Sequence, residues 1–294
     1  AAIATKETIM IFNRYMPGMS NGGIATGEAL TNAELQARVP SIFAAEAHES
    51  RSARFTPVPT IQVLDGLRAE GFEPFYAQQA RSRIEGKAAF TKHMVRLRHR
   101  SLTNGEDAAF EIILVNANDG TSSYQMIPGF FRFVCANGLM AGETFNEVKV
   151  RHSGDAVSEV IEGAYTVLEE APRITAAMSR FKGIALEDPE RLALAEAAHM
   201  LRFPKAHEAQ PTPAPVQADA LALPRRREDR ATDLWTAFNV VQENVIRGGQ
   251  RGMVRTDRGY KRRTVREVSG IDQGKALNRA LWTLTERMAE LKEA

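Results

Sequence analysis

The middle of the chain alternates apolar and polar residues in a pattern that predicts an antiparallel β-sheet. Phe90 to Ser101 alternates most clearly, Phe75 to Ile84 alternates weakly, and the apolar run within Ala108 to Asn116 suits a central strand. Asn104-Gly105 and Asn118-Asp119-Gly120 are turn signals of the kind that connect neighbouring antiparallel strands. These strands and short turns predict an antiparallel meander.

Apolar residues at helical spacing predict six helices on either side of this block. In chain order they cover Thr31 to Arg38, Ile61 to Ala69, Asp155 to Lys182, Leu186 to Phe203, Thr232 to Ile246 and Ile271 to Leu291. Thr31 and Glu34 have the spacing of a capping box, which marks the start of the first helix. Pro172 is expected to kink or divide the third helix, because proline cannot donate the hydrogen bond that a helix interior needs.

A short additional helix is predicted between the sheet and the third of these helices. Pro128 and Gly129 are expected to open it, with Phe130, Phe133 and Val134 as its apolar face. Asn137 and Gly138 are expected to cap its end, since both residues tolerate a left-handed backbone. A short strand from Val148 to His152 is expected to follow.

The distribution of prolines suggests how the chain is divided. Five of 13 prolines lie between Pro204 and Pro224, which predicts an extended linker or a long functional loop. We therefore expect an N-terminal arm (1–55), an α+β core domain (56–203), a Pro-rich linker (204–224) and a helical, Arg-rich C-terminal region (225–294). The predicted fold class is α+β, with a curved antiparallel sheet backed by helices.

Composition excludes several classes of protein. The 294 residues are 44% hydrophobic and 25% charged, which is typical of a globular protein. No apolar run approaches the roughly 18 residues of a membrane span, and the segment from Ala1 to Met10 lacks the pattern of a secretory signal. The single cysteine, Cys135, excludes an internal disulfide and a multi-Cys zinc cage. A cytoplasmic location is the resulting expectation.

The net charge of +2 conceals two strongly basic segments. Arg81 to Ser101 contains seven Lys or Arg residues against Glu85, and Arg247 to Arg266 contains eight against Asp257. Arg predominates in both, and its guanidinium group pairs bidentately with phosphate. One basic run is typical of a solvated surface, but two Arg-dominated segments favour a polyanionic partner.

No catalytic constellation is recognisable. The six histidines have no metal-binding spacing, and Cys135 lies between Val134 and Ala136, as a small buried hydrophobic residue would. No P-loop or dinucleotide-binding motif is present, and the glycines Gly248, Gly249 and Gly252 are a weak signal for phosphate binding. We therefore expect a protein that is not an enzyme and uses no metal or other cofactor.

The residues that remain suggest a nucleic-acid interface, which needs cations for phosphates and aromatic rings for bases. The candidate residues are Arg81, Arg83, Lys92, Arg96, Arg98 and Arg100 in the first segment, and Arg251, Arg255, Arg258, Tyr260, Lys261, Arg262 and Arg263 in the second. Alternation places Arg96, Arg98 and Arg100 on one face of a strand, where we expect exposed guanidinium groups. Tyr260 is predicted to be exposed, whereas core packing is favoured for Tyr76 and Phe90. The two sets are expected to converge on one groove.

Several stretches resemble the phage- and plasmid-like proteins that contain the domain of unknown function numbered 932. The matching stretches are Pro57 to Phe75, Lys92 to Arg98, Glu111 to Gly120, Gly129 to Leu139 (Gly-Phe-Phe-Arg-Phe-Val-Cys-Ala-Asn-Gly-Leu) and Val150 to Gly154 (Val-Arg-His-Ser-Gly). The resemblance covers about Thr56 to Phe203. It implies a cytoplasmic protein of a plasmid, phage or other mobile element, and it carries over no catalytic residue.

The predicted order of elements, a helix followed by a three-stranded meander with a basic strand and then a helix, is similar to the core of Rad-type and phage annealing proteins. That likeness is one of topology alone, since no annealing motif is present. It implies binding of single-stranded DNA by a homo-oligomer, as a ring or filament. The leading hypothesis is therefore a single-stranded-DNA-binding, strand-annealing protein of a mobile element.

Two other functions are compatible with the same residues. The arginines could meet an acidic surface of a host protein in an anti-defence or regulatory role, with the Pro-rich segment as a docking strip. An enzyme acting on nucleic acid is the third alternative, and it has the least support because no acid, base or metal-ligand set is recognisable.

Overall fold

The structure is a computed structural model, and it divides the chain into two compact units, 1–171 and 172–294. It describes residues 24–25, 28–46, 48, 58–84, 86–102, 108–132, 137–142, 145–152, 155–209, 211–257 and 259–294. The boundary lies earlier than the predicted end of the core domain at 203, so the helices after 171 belong with the C-terminal region. Each unit is described separately below.

The first unit contains a seven-stranded antiparallel sheet, which confirms the predicted meander and the α+β class. Its strands are β1 (Ile24–Ala25), β2 (Phe72–Gln79), β3 (His93–His99), β4 (Ala108–Asn116), β5 (Tyr124–Arg132), β6 (Asn137–Met140) and β7 (Val148–Val150). Strands β1 to β5 are neighbours in chain order, and β6 and β7 pair with two ends of the same edge of β5.

Three helices pack against one face of this sheet. They are α1 (Asn32–Arg38), α2 (Thr60–Ala69) and α3 (Ala156–Leu168). The capping box predicted at the start of α1 is present, because Thr31 accepts a hydrogen bond from the Glu34 amide and the Glu34 carboxylate accepts one from the Thr31 amide. Alternate residues of the strands, such as Val95 and Leu97, form one buried cluster with α2 and α3.

The predicted helix at Pro128 and Gly129 is wrong, because both residues lie inside β5. Gly129 is flanked so closely by β4 and β6 that a Cβ atom there would lie 2.6 Å from Ile113 and 2.7 Å from the carbonyl oxygen of Leu139. Pairing with strands on both sides thus outweighs the local Pro-Gly signal. Asn137 and Gly138 belong to β6 rather than to a helix cap. The proposed apolar partners Phe133 and Val134, like Cys135, lie outside the described residues.

A buried polar network joins α2 to the sheet. The Nδ1 atom of His93 lies 3.3 Å from the carbonyl oxygen of Thr91, which can only accept, so the neutral ring carries its proton there. Its Nε2 atom accepts a hydrogen bond from the Thr60 hydroxyl at 2.8 Å, and Asn116 donates to that hydroxyl at 2.9 Å. Tyr124 donates to the carbonyl oxygen of Val58 at 2.8 Å. Burial lowers the pKa of His93 to about 4 and raises that of Tyr124, so both groups are neutral near pH 7.

The second unit is mainly helical. Its elements are α4 (Ala171–Lys182), α5 (Asp188–Arg202), α6 (Leu234–Arg247), α7 (Ile271–Glu293) and a hairpin of β8 (Arg251–Thr256) and β9 (Gly259–Thr264). The break between α3 and α4 confirms that the helix predicted around Pro172 is divided. The ring of Trp282 on α7 lies 5.6 Å from that of Phe181 on α4 and 5.7 Å from that of Phe238 on α6. These rings form the centre of the helical core.

The Pro-rich segment is not an extended linker. It lies within the second unit, where Val216 and Leu221 are buried. His199 on α5 lies with Nε2 2.9 Å from the carbonyl oxygen of Val216, and Asn244 on α6 donates to the carbonyl oxygens of Leu221 and Leu223 at 2.8 and 3.0 Å. Apolar anchors and side-chain hydrogen bonds therefore fix the segment as a long ordered loop, which is the second of the two alternatives that its prolines predict.

Within the described residues, no helix combines the length and the apolar character required to cross a lipid bilayer.

Candidate nucleic-acid interface

The second basic segment folds as an antiparallel hairpin. β8 and β9 pair in antiparallel register, from Arg251 opposite Thr264 to Thr256 opposite Gly259. Gly259 has a φ of +102°, in the left-handed region that glycine adopts readily, and the Thr256 hydroxyl donates to its carbonyl oxygen at 2.8 Å. These local features close the hairpin at its tip.

The base of the hairpin is fixed by close backbone contacts. The Gly249 amide donates to the carbonyl oxygen of Val265 at 2.8 Å, and the Val265 amide donates to that of Gln250 at 2.9 Å. A Cβ atom at Gly252 would lie 2.0 Å from the carbonyl oxygen of Pro215, so β8 passes directly over the Pro-rich segment. Close chain packing thus accounts for Gly252 without a phosphate ligand.

The hairpin has two unlike faces, because directly opposed residues of an antiparallel pair project to the same side. One face includes Val254, which is buried against the unit. The other, which we call the outer face, consists of Arg251, Met253, Arg255, Tyr260, Arg262 and Thr264, and all six are exposed. Tyr260 is 72% exposed, which confirms the prediction for this ring, and Met253 is 59% exposed.

The outer face is cationic and contains no carboxylate. Arg255 stands directly opposite Tyr260, and Arg262 stands opposite Met253. In the part of the chain that the structure describes, Arg251, Arg255 and Arg262 have no ion-pair partner. Guanidinium groups beside an exposed ring are the combination that phosphates and unstacked bases bind.

The remaining candidates of this segment are Lys261, Arg263 and Arg258, and none of them belongs to the outer face as defined above. Lys261 and Arg263 are exposed on β9, and by alternation they project to the same side as Val254. Arg258 lies outside the described residues.

The prediction of an exposed guanidinium face on β3 is wrong. Arg96 is 3% exposed, and its Nη1 atom donates to Glu111 Oε2 at 2.8 Å. Arg98 donates from Nε to Glu111 Oε1 at 2.9 Å, and its guanidinium carbon lies 4.3 Å from the centre of the Phe75 ring and 4.8 Å from that of Phe131. Both cations therefore bind the protein's own Glu111 carboxylate, and Arg98 also lies over two aromatic rings.

The physical reason is the neighbouring strand. Glu111 on β4 is 1% exposed, and a buried carboxylate needs paired, hydrogen-bonding cations. Glu111 interrupts the apolar run of β4, so it was the signal that its neighbours on β3 would be buried with it. Alternation identifies the face on which a residue lies, but it does not identify what covers that face.

The other candidates of the first segment do not share one surface element. Arg81 and Arg83 are exposed but follow the end of β2 instead of lying within it. Lys92 is half-buried just before β3, and Arg100 is exposed just after it, against Gly71. Tyr76 and Phe90 are also half-buried. The expected single groove is thus not supported by Arg96 and Arg98, and the two basic segments lie in different units.

The histidines show one contact that spacing did not predict. The Nδ1 atom of His199 on α5 lies 2.9 Å from the Nε2 atom of His207 in the Pro-rich loop. Among the residues described, no three His, Cys, Asp or Glu side chains are grouped so that they could hold a metal ion.

Comparison with known proteins identifies the family. The family described as "Domain of unknown function (DUF932)" matches residues 47–282. The chain belongs to this family, as the stretches between Thr56 and Phe203 predicted. Among its relatives is UPF0380 protein YafZ of Escherichia coli (strain K12), 48% identical over 259 residues, which are 88% of this chain and 91% of that protein.

A second relative from the same organism is UPF0380 protein YfjQ, which is 47% identical over 259 residues, again 88% of this chain and 91% of the relative. No solved structure gives a significant match. The proposals below therefore rest on the geometry of this chain.

Proposed function

We propose that this DUF932 protein binds single-stranded nucleic acid through the outer face of its β8–β9 hairpin. The observation that carries the proposal is the composition of that face: beside an exposed tyrosine lie three exposed arginines that pair with no carboxylate among the described residues. Phosphates bind arginine in any sequence context, and a base stacks on tyrosine once it is unpaired.

The spacing of the hairpin suits a ligand that is extended. Residues on one face of a strand repeat every ~6.6 Å, so Arg251 and Arg255 are separated by ~13 Å along β8. Arg262 on β9 adds a third cation on the same face. A polyanion lying along the hairpin can contact all three arginines, whereas a single small anion can contact only one or two.

The wider hypothesis is that this binding serves strand annealing. We propose that the protein acts in the cytoplasm as a homo-oligomer and belongs to a plasmid, phage or other mobile element. The family resemblance supports the mobile-element setting, and the single cysteine supports a reducing compartment. Strand annealing is tested by mixing complementary labelled strands with and without protein at equal ionic strength. An unchanged rate of duplex formation would limit the function to binding.

The hairpin itself is tested with Arg251→Gln/Arg255→Gln/Arg262→Gln, measured by fluorescence anisotropy with a labelled single-stranded oligonucleotide. A matched control, Arg38→Gln/Arg151→Gln/Arg230→Gln, removes three exposed charges that lie outside both basic segments. The hairpin variant is expected to weaken binding at least ~10-fold, and to reduce the slope of log affinity against log salt by about 2, since each single-strand phosphate contact contributes about 0.7.

The control variant is expected to retain most of the affinity. Equal losses in the two variants would show a response to net charge instead of a site on the hairpin. Absence of any binding at low ionic strength would reject the proposal altogether, and an acidic protein partner would then become the better explanation of the exposed arginines.

A further inference from the structure

The second unit contains a cavity beside the hairpin. Of the six outer-face residues, Arg255 and Thr264 line this cavity and the other four do not. Its volume is about 680 Å³, within the usual range of ligand pockets. The end of α5 and the first part of the Pro-rich loop form one wall, and β8, β9 and the residues after β9 form the other. It is thus bounded in part by the Pro-rich loop.

The cavity is lined by five cations and no carboxylate. The cations are Arg202, Lys205, Arg255, Arg263 and Arg266. Within the described ranges none of these five has an ion-pair partner, unlike Arg96 and Arg98 in the first unit. A concave surface with low-dielectric walls and one sign of charge concentrates counterions of the other sign. The ligand of such a cavity is therefore an anion.

Backbone carbonyl groups hold the side chain of Arg202 in place. Its Nε atom donates to the carbonyl oxygen of Val245 at 3.1 Å, and its Nη2 atom donates to that of Arg266 at 2.7 Å. These bonds hold the guanidinium plane in place, with its carbon 5.3 Å from the centre of the Phe203 ring. Burial lowers the pKa of Arg202, which means that its charge lacks full compensation, and a bound anion would supply it.

The other residues of the cavity wall indicate which chemical group the ligand carries besides its negative charge. Phe203, Pro204, Pro213, Pro215 and Val254 provide apolar surface within the same cavity. A phosphate alone would use the cations but leave this apolar surface in water. A nucleoside phosphate would use both, because its base is flat and largely apolar on its faces while its phosphate binds the arginines.

We infer that this cavity binds a nucleoside phosphate, with the phosphate held by the cations and the base held against Phe203 and the prolines. The ligand can be a free nucleotide or the 5′-phosphorylated end of a strand. The second source rests on the proposed function, because the hairpin that would hold the strand also forms one wall of the cavity. The first source is independent of it.

The test uses the full chain and Lys205→Gln/Arg266→Gln, which removes two exposed cavity cations while leaving their backbone hydrogen bonds in place. Arg38→Gln/Arg151→Gln is the matched control, since both residues are exposed and neither lines the cavity or lies on the outer face. Isothermal titration measures binding of dAMP, adenosine and inorganic phosphate to each protein. We expect saturable dAMP binding that the cavity variant weakens at least ~10-fold and the control variant leaves unchanged.

Three results would overturn the inference. They are no dAMP binding up to about 1 mM, equal dAMP affinity in the cavity variant, and binding of adenosine or inorganic phosphate as tightly as dAMP. Two oligonucleotides of one sequence, with and without a 5′-phosphate, then identify the source. A preference for the phosphorylated strand that the cavity variant abolishes assigns the strand end, and equal binding assigns the free nucleotide.

The two proposals fail separately in this design. Loss of dAMP binding with normal binding of unphosphorylated strands rejects the cavity inference alone. Normal dAMP binding with no binding of strands rejects the hairpin proposal alone.

Discussion

Arg96 and Glu111 form a buried ion pair between β3 and β4, with Nη1 of the arginine 2.8 Å from Oε2 of the carboxylate. The same guanidinium donates to the carbonyl oxygens of Phe130 at 3.1 Å and Leu139 at 2.9 Å. One side chain thus connects four neighbouring strands, β3 to β6. Arg98 pairs with the other oxygen of Glu111, so one carboxylate is shared by two guanidinium groups.

Glu111→Gln is expected to destabilise the protein by roughly 3–5 kcal/mol, because it removes the carboxylate that the buried Arg96 and the partly buried Arg98 share. Urea denaturation followed by circular dichroism measures this change. Glu290→Gln, which alters an exposed pair with Arg287, is the control and should change stability by less than ~1 kcal/mol. Similar effects of the two substitutions would mean that the buried pair is not structural.

Gly138→Ala is expected to destabilise the sheet, because the added Cβ atom would overlap the Arg96 guanidinium, only 1.9 Å from Nη1. Displacing that group breaks its bonds to Glu111 and to β5 and β6. Thermal unfolding measures the loss, expected at more than ~2 kcal/mol. Gly274→Ala in α7 is the matched control, since its nearest neighbour would be 3.9 Å away and alanine favours a helix by ~1 kcal/mol. It should raise the melting temperature.

The stability of the first unit should fall in mild acid because of His93. Burial lowers the pKa of this residue from 6.5 to about 4, so the folded state binds its proton less readily than the unfolded state. The stabilising effect of the neutral ring is fully present above pH 6.5 and is lost as the pH falls towards 4. His152, whose pKa is also lowered by burial, acts in the same direction. The expected slope from one such group is about 1.4 kcal/mol per pH unit.

His93→Gln separates this contribution from general acid effects. The amide does not titrate, so the variant should lose stability less steeply between pH 6.5 and 4, even though it is less stable at pH 7. Denaturation midpoints of both proteins at matched ionic strength give the two slopes. Parallel slopes would show that another group governs the response.

Tyr260 should contribute to strand binding through its ring and not through charge. Tyr260→Ala is expected to weaken binding by about 1–3 kcal/mol, while the salt dependence stays the same because no cation is removed. Tyr260→Phe retains the ring and should bind nearly as well as the original protein. An equal loss in both variants would assign the effect to the hydroxyl and reject base stacking.

The local patterns of this chain were sufficient for much of its secondary structure. Thr31 and Glu34 marked the start of α1 because a capping box is made by neighbours in sequence, and Pro172 marked the break before α4 for the same reason. Pro128 and Gly129 gave the wrong element, since strands distant in sequence pair with β5 on both sides. Local propensity is weaker than such pairing.

For the candidate site, the sequence by itself determined that arginines are concentrated in the hairpin segment and that Tyr260 lies among them. Only the tertiary structure decided which arginines meet solvent. Arg96 and Arg251 have the same chemistry, but Glu111 lies beside the first and no carboxylate pairs with the second in the described residues. Lys205 joins Arg266 at one cavity only because the Pro-rich loop folds back against β8. Burial and ion pairing depend on distant residues, and the order of residues along a chain does not specify that proximity.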